Sequence, residues 1–301
     1  MQNIQVVMST YNGEKYLLDQ IESIMKQKNV NVFLAIRDDG SSDGTVKILK
    51  NIQENENITV HFGKNVGYKK SFLWLLNEYK HSSPYISFAD QDDIWLPNKL
   101  EKAISMLEPS KSNKYSLYYS GLNVVDDELN EIGEKKLNDR RLTLGSSISR
   151  SNIPGCTMVF NQQLAEKVSL FGDDYDIAHD ALVQLVCLSL NGTILYDDKS
   201  YILYRRHDSV VTNTGTGFVK MIIAELNNAS NKKNSKIKYA RAILQTLKDE
   251  IPQDRKKLLK TISNYKTNKK YWFSLLKLTE IKTGNKIIDL YTFFSVLLRK
   301  Y

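Results

Sequence analysis

The sequence holds two cysteines in 301 residues, Cys156 and Cys187. Each sits in an apolar run, Cys-Thr-Met-Val-Phe and Leu-Val-Cys-Leu. They read as reduced core residues rather than a disulfide, which fits a cytoplasmic compartment. No apolar run reaches the roughly 18 residues a membrane-spanning helix needs. Gln5 to Ser9 is too short for the apolar region of a signal peptide and runs straight into a turn. Two phosphate-binding devices are also missing. There is no G-x-x-x-x-G-K-[ST], and Gly215-Thr-Gly217 neither follows an early strand nor gains a third glycine. A diphosphate would therefore have to be held mainly by metal and basic side chains.

Composition is otherwise that of a globular protein, with 42% hydrophobic and 25% charged residues, and the length suggests one large or two modest domains. The net charge of +8 is unevenly spread. Residues 220–301 carry 19 Lys/Arg against 6 Asp/Glu, and residues 1–219 carry 23 against 28. A basic tail on a mildly acidic body points to an anionic surface as partner. Nucleic acid explains it poorly, because no basic-aromatic interleaving or recognition motif accompanies the charge.

Apolar and β-prone runs alternate with helical patterns over the first 110 residues. Ile4 to Met8, Val32 to Ile36, Ile58 to Phe62 and Tyr85 to Phe88 read as strands. Between them lie helical stretches with inward Leu17, Ile21, Ile24 and Met25, then Val46, Leu49 and Ile52, then Phe72, Leu75, Leu76 and Tyr79. Ser41, Ser42 and Asp43 read as N-caps of the second helix. This alternation makes a parallel, right-handed βαβ sheet. Ligands of such sheets gather beyond the carboxyl ends of the strands. Three polar loops leave there: Thr10-Tyr-Asn12, Asp38-Asp39-Gly40 and Asp90-Gln-Asp92.

The fourth strand ends in Asp90, Asp92 and Asp93, and Pro97 blocks its continuation before a helix opens at Asn98. Carboxylates this close repel, and a hard cation such as Mg²⁺ or Mn²⁺ relieves the repulsion. Such a cation keeps positions open for phosphate oxygens. A lone D-x-D-D is more often a solvated turn; convergence with the other two loops favours a site. Asp93 reads equally well as a helix N-cap ahead of Leu96. Lys69 and Lys70 fit an exposed helix face better than phosphate contacts.

Val6-Val-Met-Ser-Thr-Tyr-Asn-Gly-Glu-Lys-Tyr-Leu17, Arg37-Asp-Asp-Gly-Ser-Ser-Asp-Gly-Thr45 and Ala89-Asp-Gln-Asp-Asp-Ile-Trp95 together resemble the family 2 inverting glycosyltransferases. The resemblance covers about two-thirds of the chain. Asp-Gln-Asp-Asp-Ile-Trp, with Tyr204-Arg-Arg-His207 downstream, is similar to rhamnosyltransferases of bacterial surface-polysaccharide assembly. What it implies is an α/β GT-A fold with a mostly parallel central sheet, a nucleotide-sugar donor and Mn²⁺ or Mg²⁺. Thr10 and Asp39 match base-contacting positions, with Tyr11 and Glu14 in the same nucleotide loop. Asp90 and Asp92 match the family's D-x-D, Asp92 as direct metal ligand and Asp90 nearer the ribose. Pro154 to Asn161 is similar to the acceptor-side strand. The family's Glu-Asp pair is His179-Asp180 here, opening a helix, and Asp180 inherits the role of catalytic base; simple first-turn capping is the alternative. His207 is a candidate metal ligand or diphosphate contact, and Arg205 or Arg206 a candidate for neutralising phosphate.

The expected organisation is a GT-A domain over 1–217, with a nucleotide-sugar half to about 110 and an acceptor half beyond it. A basic helical region follows over 218–301. Its last segment, Ile287 to Tyr301, is densely apolar and aromatic with cations at its ends. It suits a membrane interface or packing against protein equally well. The expected activity is rhamnose transfer from dTDP-rhamnose to a growing surface glycan, for which a lipid-linked acceptor would give the basic tail a purpose. A UDP-hexose or UDP-N-acetylhexosamine transferase is the alternative within the class. A nucleotidyltransferase and a non-catalytic glycan-binding module stand outside it. Ser9-Thr-Tyr-Asn-Gly13 lacks the glycine- and lysine-rich loop the former wants, and intact Asp90, Asp92 and Asp180 argue against the latter.

Overall fold

β-branched and aliphatic residues concentrate in short runs that are buried on both faces, which is the signature of a strand covered by helices on either side. The computed structural model describes residues 1–110, 113–137, 141–150, 153–172, 177–206 and 235–301. Contacts divide the chain into two units, one of residues 1–138 and 152–205, the other of 139–151 and 206–301.

The first unit opens with β1 (Gln2–Thr10), α1 (Leu17–Met25), β2 (Val30–Asp38), α2 (Thr45–Ile52), β3 (Ile58–Phe62), α3 (Tyr68–Tyr79) and β4 (Tyr85–Ala89). These strands lie in the order β3-β2-β1-β4, all parallel, as the helix-strand alternation predicts. After the acidic turn come β5 (Ile94–Trp95), α4 (Lys99–Leu107), β6 (Ser116–Val125) and β7 (Glu131–Lys135). Then follow β8 (Val159–Asn161), α6 (Gln162–Val168), α7 (His179–Ser189) and β9 (Thr193–Arg205), with α5 (Leu144–Ser149) belonging to the second unit. The sheet continues β4-β8-β6-β9-β5, with β7 on β6. β8 runs antiparallel between β4 and β6, so the acceptor half adds mixed pairing to a parallel start.

Burial locks this arrangement. Leu17, Ile21 and Ile24 of α1 pack with Ile4, Val6 and Met8 of β1 and with Leu34 and Ile36 of β2. Each such side chain contributes about 1.5–3 kcal/mol on leaving water. Cys156 and Cys187 are free and buried. Two local expectations change. α2 starts after Gly44, and Asp43 bonds its first turn, accepting from the Thr45 amide at 3.0 Å, while Ser41 bonds Asp38 and the Asn12 amide instead. Asp93 caps no helix: Asn98 precedes α4, and Asp93 stands before β5, whose Ile94 and Trp95 pair with Leu203 and Ile202 of β9.

The second unit is helical in its described part: α5, then α8 (Ser235–Leu247), α9 (Gln253–Asn264), α10 (Lys269–Lys277) and α11 (Lys286–Leu297). Thr143 and Ser146 form a capping box at the start of α5. Ser149 at its end meets the Tyr301 hydroxyl at 2.6 Å. Tyr265 donates to the Tyr301 carbonyl, so Tyr301 is pinned inside this unit.

Candidate active site

The three polar loops of the parallel strands are tied to one another by side chains that bond main chain. Gln91, between Asp90 and Asp92, is the principal tie. Its Oε1 accepts from Thr10 Oγ1 at 2.7 Å and from the Tyr11 amide at 2.9 Å, and its Nε2 donates to the Tyr11 carbonyl at 3.3 Å. A Cβ on Gly13 would lie 2.6 Å from Gln91 Oε1 and 2.9 Å from Thr10 Oγ1, so a larger residue would push the Gln91 amide out of this tie. Asn12 adopts a left-handed φ of 50° and takes the Ser42 amide on its Oδ1 at 2.8 Å. Glu14 accepts from the Gly44 amide at 2.9 Å, so it braces the loop after β2. Thr10 is buried, whereas Tyr11 is 48% exposed and turns its ring to solvent.

Both carboxylates after β2 are buried and occupied. Asp38 accepts from the amides of Gly40 and Ser41 and from Ser41 Oγ. Asp39 pairs with Arg37 and accepts from the Val66 amide at 2.9 Å and the Gly67 amide at 2.8 Å. The position matched to base contact therefore also holds the loop after β3 in place.

The acidic turn stands at the end of β4. Asp90 and Asp92 are half-buried and Asp93 is fully buried. Burial pushes the Asp90 carboxyl up to about 7, with the Asp92 and Asp180 carboxylates adding repulsion. Asp93 is pushed well above the carboxylate range by burial and then by Asp90 and Asp92. The Cys156 thiol and the Arg205 main chain offset little of this, and neither oxygen of Asp93 has a hydrogen-bond partner of good geometry. Ligand atoms of Asp90, Asp93 and Cys156 lie within 4.8 Å of one another. This trio suits a hard cation poorly: burial holds the thiol protonated, and Asp93 has no surface from which to reach a phosphate. The half-buried all-oxygen pair Asp90 and Asp92 fits Mg²⁺ or Mn²⁺ better.

Lys99, in the first turn of α4, is entirely buried behind this turn. Its Nζ lies 3.6 Å from the centre of the Trp95 ring and 3.4 Å from Ser87 Oγ. Burial lowers it to about 7, with Cys156 and Asp93 pulling it back up.

Asp180 follows the first residue of α7, and its Oδ1 accepts from the Ala181 amide at 2.7 Å. That is local first-turn bonding, but Asp180 also adds to the repulsion that raises Asp90, so the two carboxylates are neighbours. His179 beside it is buried, stacked on Phe72 at 4.0 Å between ring centres and edge-on to Phe88 at 4.7 Å. Neither ring nitrogen has a hydrogen-bond partner, and burial lowers its pKa to about 4. His179 is therefore a neutral aromatic wedge and does not hydrogen-bond Asp180. A Cβ on Gly155 would come 2.8 Å from His179 Nε2.

Arg205 closes β9 with a buried guanidinium committed to protein groups. It donates to the Asp127 carbonyl at 2.9 Å and to Asp19 Oδ2 at 3.4 Å, and lies 4.7 Å from the centre of the Tyr16 ring. His207 lies outside the described residues. Sequence reasoning missed Gln91 as the inter-loop tie and Lys99 as a buried cation. The position of Gln91 inside the acidic run, and of Lys99 beside inward Leu100 and Ala103, were the available signals.

The family model for glycosyl transferase family 2 matches residues 5–168. The dTDP-rhamnosyl transferase RfbG of Shigella flexneri is 31% identical over 219 residues, covering 67% of this chain and 72% of that one. The UDP-Glc:alpha-D-GlcNAc-diphosphoundecaprenol beta-1,3-glucosyltransferase WfgD of Escherichia coli is 30% identical over 169 residues, covering 55% and 63%. Among solved structures, S. aureus TarS 1-349 in complex with UDP-GlcNAc aligns over all of this chain and 80% of its own with a TM-score of 0.60. At 17% identity that likeness speaks to the GT-A fold alone. Strand order, converging loops and matched residues agree, and the chain belongs to glycosyl transferase family 2.

Proposed function

We propose that this glycosyltransferase is metal-dependent and inverting, and that it moves L-rhamnose from dTDP-rhamnose to a hydroxyl of a surface glycan. The observation that supports the proposal is that Asp180, on α7, lies near enough to the acidic turn to raise Asp90. It is the third carboxylate beside the pair that would hold a cation. Asp180 takes the proton of the acceptor hydroxyl, the freed oxygen bonds to the anomeric carbon from the opposite face, and the bond to the diphosphate oxygen breaks. Asp90 and Asp92 would hold the cation, which would supply neutralising charge for the departing diphosphate. Because a nucleoside diphosphate leaves readily, no protein acid is required, unlike hydrolysis of a glycoside. Tyr11 offers an exposed ring for a base, and Thr10 and Asp39 fix the loops beneath it.

The named activity of RfbG favours dTDP-rhamnose. That of WfgD supports a UDP-sugar as the second reading, and its diphosphoundecaprenol substrate supports a lipid-linked acceptor. Thermal melting against dTDP, UDP, GDP and their sugars, with and without Mn²⁺, separates the readings, because a ligand of the folded state raises the midpoint. A Mn²⁺-dependent rise that is largest with dTDP-rhamnose and lost in Asp92→Ala is expected. A larger rise with a UDP-sugar moves the assignment to the second reading. No rise with any nucleotide removes the donor site. Asp180→Asn retains nucleotide binding and loses turnover; retained turnover removes the base.

A further inference from the structure

α11 is folded inside out. Its buried positions are Thr292, Ser295 and Val296, two of them hydroxyl side chains. Its large apolar side chains point outward: Leu290, Phe293, Phe294, Leu297 and, just past its end, Leu298, each between 40% and 63% exposed. At 3.6 residues per turn these positions form one continuous stripe opposite the buried one. A helix that evolved only to pack on its own unit would place those two sets the other way round.

The charge around the stripe is of one sign. Between Lys266 and Tyr301 the chain carries eight Lys/Arg against two Asp/Glu. Lys286 lies one turn before Leu290 on the same face, and Arg299 and Lys300 follow the last leucine. α10 repeats the pattern on a smaller scale. Phe273 is 55% exposed and is flanked one turn away by Lys269 and Lys277. Trp272 of α10 donates its indole N–H to the Val296 carbonyl at 2.9 Å, which joins the two helices. Asp289, an acid of this stretch, is turned aside to the Thr283 amide and hydroxyl.

We infer that the outward face of α11 is a docking surface for an anionic lipid bilayer. Phenylalanine and leucine enter the boundary between headgroups and acyl chains, while the lysines at the rim meet lipid phosphates. A helix of 12 residues is too short to span, so it lies in the plane of the interface. A second copy of the chain is the competing occupant, and charge decides against it. A symmetric pairing would set this cationic rim against itself, whereas an anionic leaflet neutralises it. Each cation near such a surface adds about fivefold to the partition coefficient.

Flotation of the full chain tests this without any sugar donor, so it stands or falls apart from the catalytic assignment. The probes are vesicles of phosphatidylcholine alone and vesicles with roughly one-third phosphatidylglycerol. The chain is expected to float with the anionic vesicles and not with the neutral ones. Raising salt to about 0.5 M should weaken that binding at least tenfold. The exposed triple variant Phe293→Ser, Phe294→Ser, Leu297→Ser should keep the melting temperature and lose flotation. Lys269→Glu with Lys286→Glu should weaken it by more than tenfold. Failure to float, equal flotation on neutral vesicles, or an unaffected triple variant overturns the inference. So does light scattering that finds a dimer which the triple variant converts to monomer.

Discussion

His179 offers a direct test of the electrostatics beside Asp180. Its ring is 6% exposed, wedged against Phe72 and Phe88, and both nitrogens lack a hydrogen-bond partner. Protonation in that cage is disfavoured, so its pKa falls from the ordinary 6.5 to about 4. The unfolded chain then binds a proton that the folded chain refuses. Stability from this residue is complete above pH 6.5 and is lost as pH falls from there towards 4. A tenfold change in proton affinity corresponds to about 1.4 kcal/mol, so the loss at pH 5 is about 2 kcal/mol relative to a residue that does not titrate. Phenylalanine keeps a stacking ring on Phe72 and removes the titration. Urea unfolding of the parent and of His179→Phe, at pH 7.5 and again at pH 5, isolates the effect. Any pH-independent change in packing cancels in the difference between the two conditions. The expected result is a variant whose stability relative to the parent improves by about 2 kcal/mol on acidification. Parallel losses in the two proteins would refute a neutral, buried imidazole.

Gly155→Ala drives a methyl group towards His179 Nε2, with Asp180 Cβ 3.4 Å away, and the wedged ring cannot slide. A destabilisation of about 1–3 kcal/mol and a roughly 10- to 100-fold loss of turnover are expected, with nucleotide binding retained; unchanged melting and turnover would contradict the contact. Asp39→Ala leaves Arg37 buried without its partner and frees the Val66 and Gly67 amides, which costs about 3–5 kcal/mol by urea midpoint. Lys99→Met acts in the opposite sense. The buried amine titrates near 7 where the unfolded chain titrates at 10.5, so its removal stabilises by about 2–4 kcal/mol at pH 7, and the gain shrinks towards pH 10. A melting point that falls at pH 7 would show that attraction to Asp93 outweighs burial.

What could be read in the sequence is what short-range pattern encodes. Strands β1 to β4 and the helices between them follow from apolar spacing, and the parallel order follows because each crossover carries a helix. The three loops are visible because polar residues interrupt those patterns at the same end of each strand. Pairings across long separations are not visible. Thr10 and Gln91 are 81 residues apart, and nothing local marks Gln91 as a tie rather than a filler between carboxylates. Asp93 looks like a cap because acid before a helix usually is one, yet β5 follows it directly and pairs with β9. His179 in place of an acid can be read as a substitution, but its cage cannot, because Phe72 and Phe88 arrive from two other elements. The inverted face of α11 is hidden for a related reason. Its spacing shows an apolar stripe and cannot say which side meets the rest of its unit.

The clamp made by Gln91 has a thermodynamic corollary. One side chain bonds both the loop that presents Tyr11 and the turn that presents Asp90 and Asp92, so neither can be reordered without disturbing the other. Occupancy at one end then carries a free energy to the other, and the exchange is reciprocal. By whatever factor a cation tightens nucleotide binding, the nucleotide tightens cation binding equally. With a cation and a nucleotide bound as proposed, cooperative loading of the two would run through the Gln91 amide.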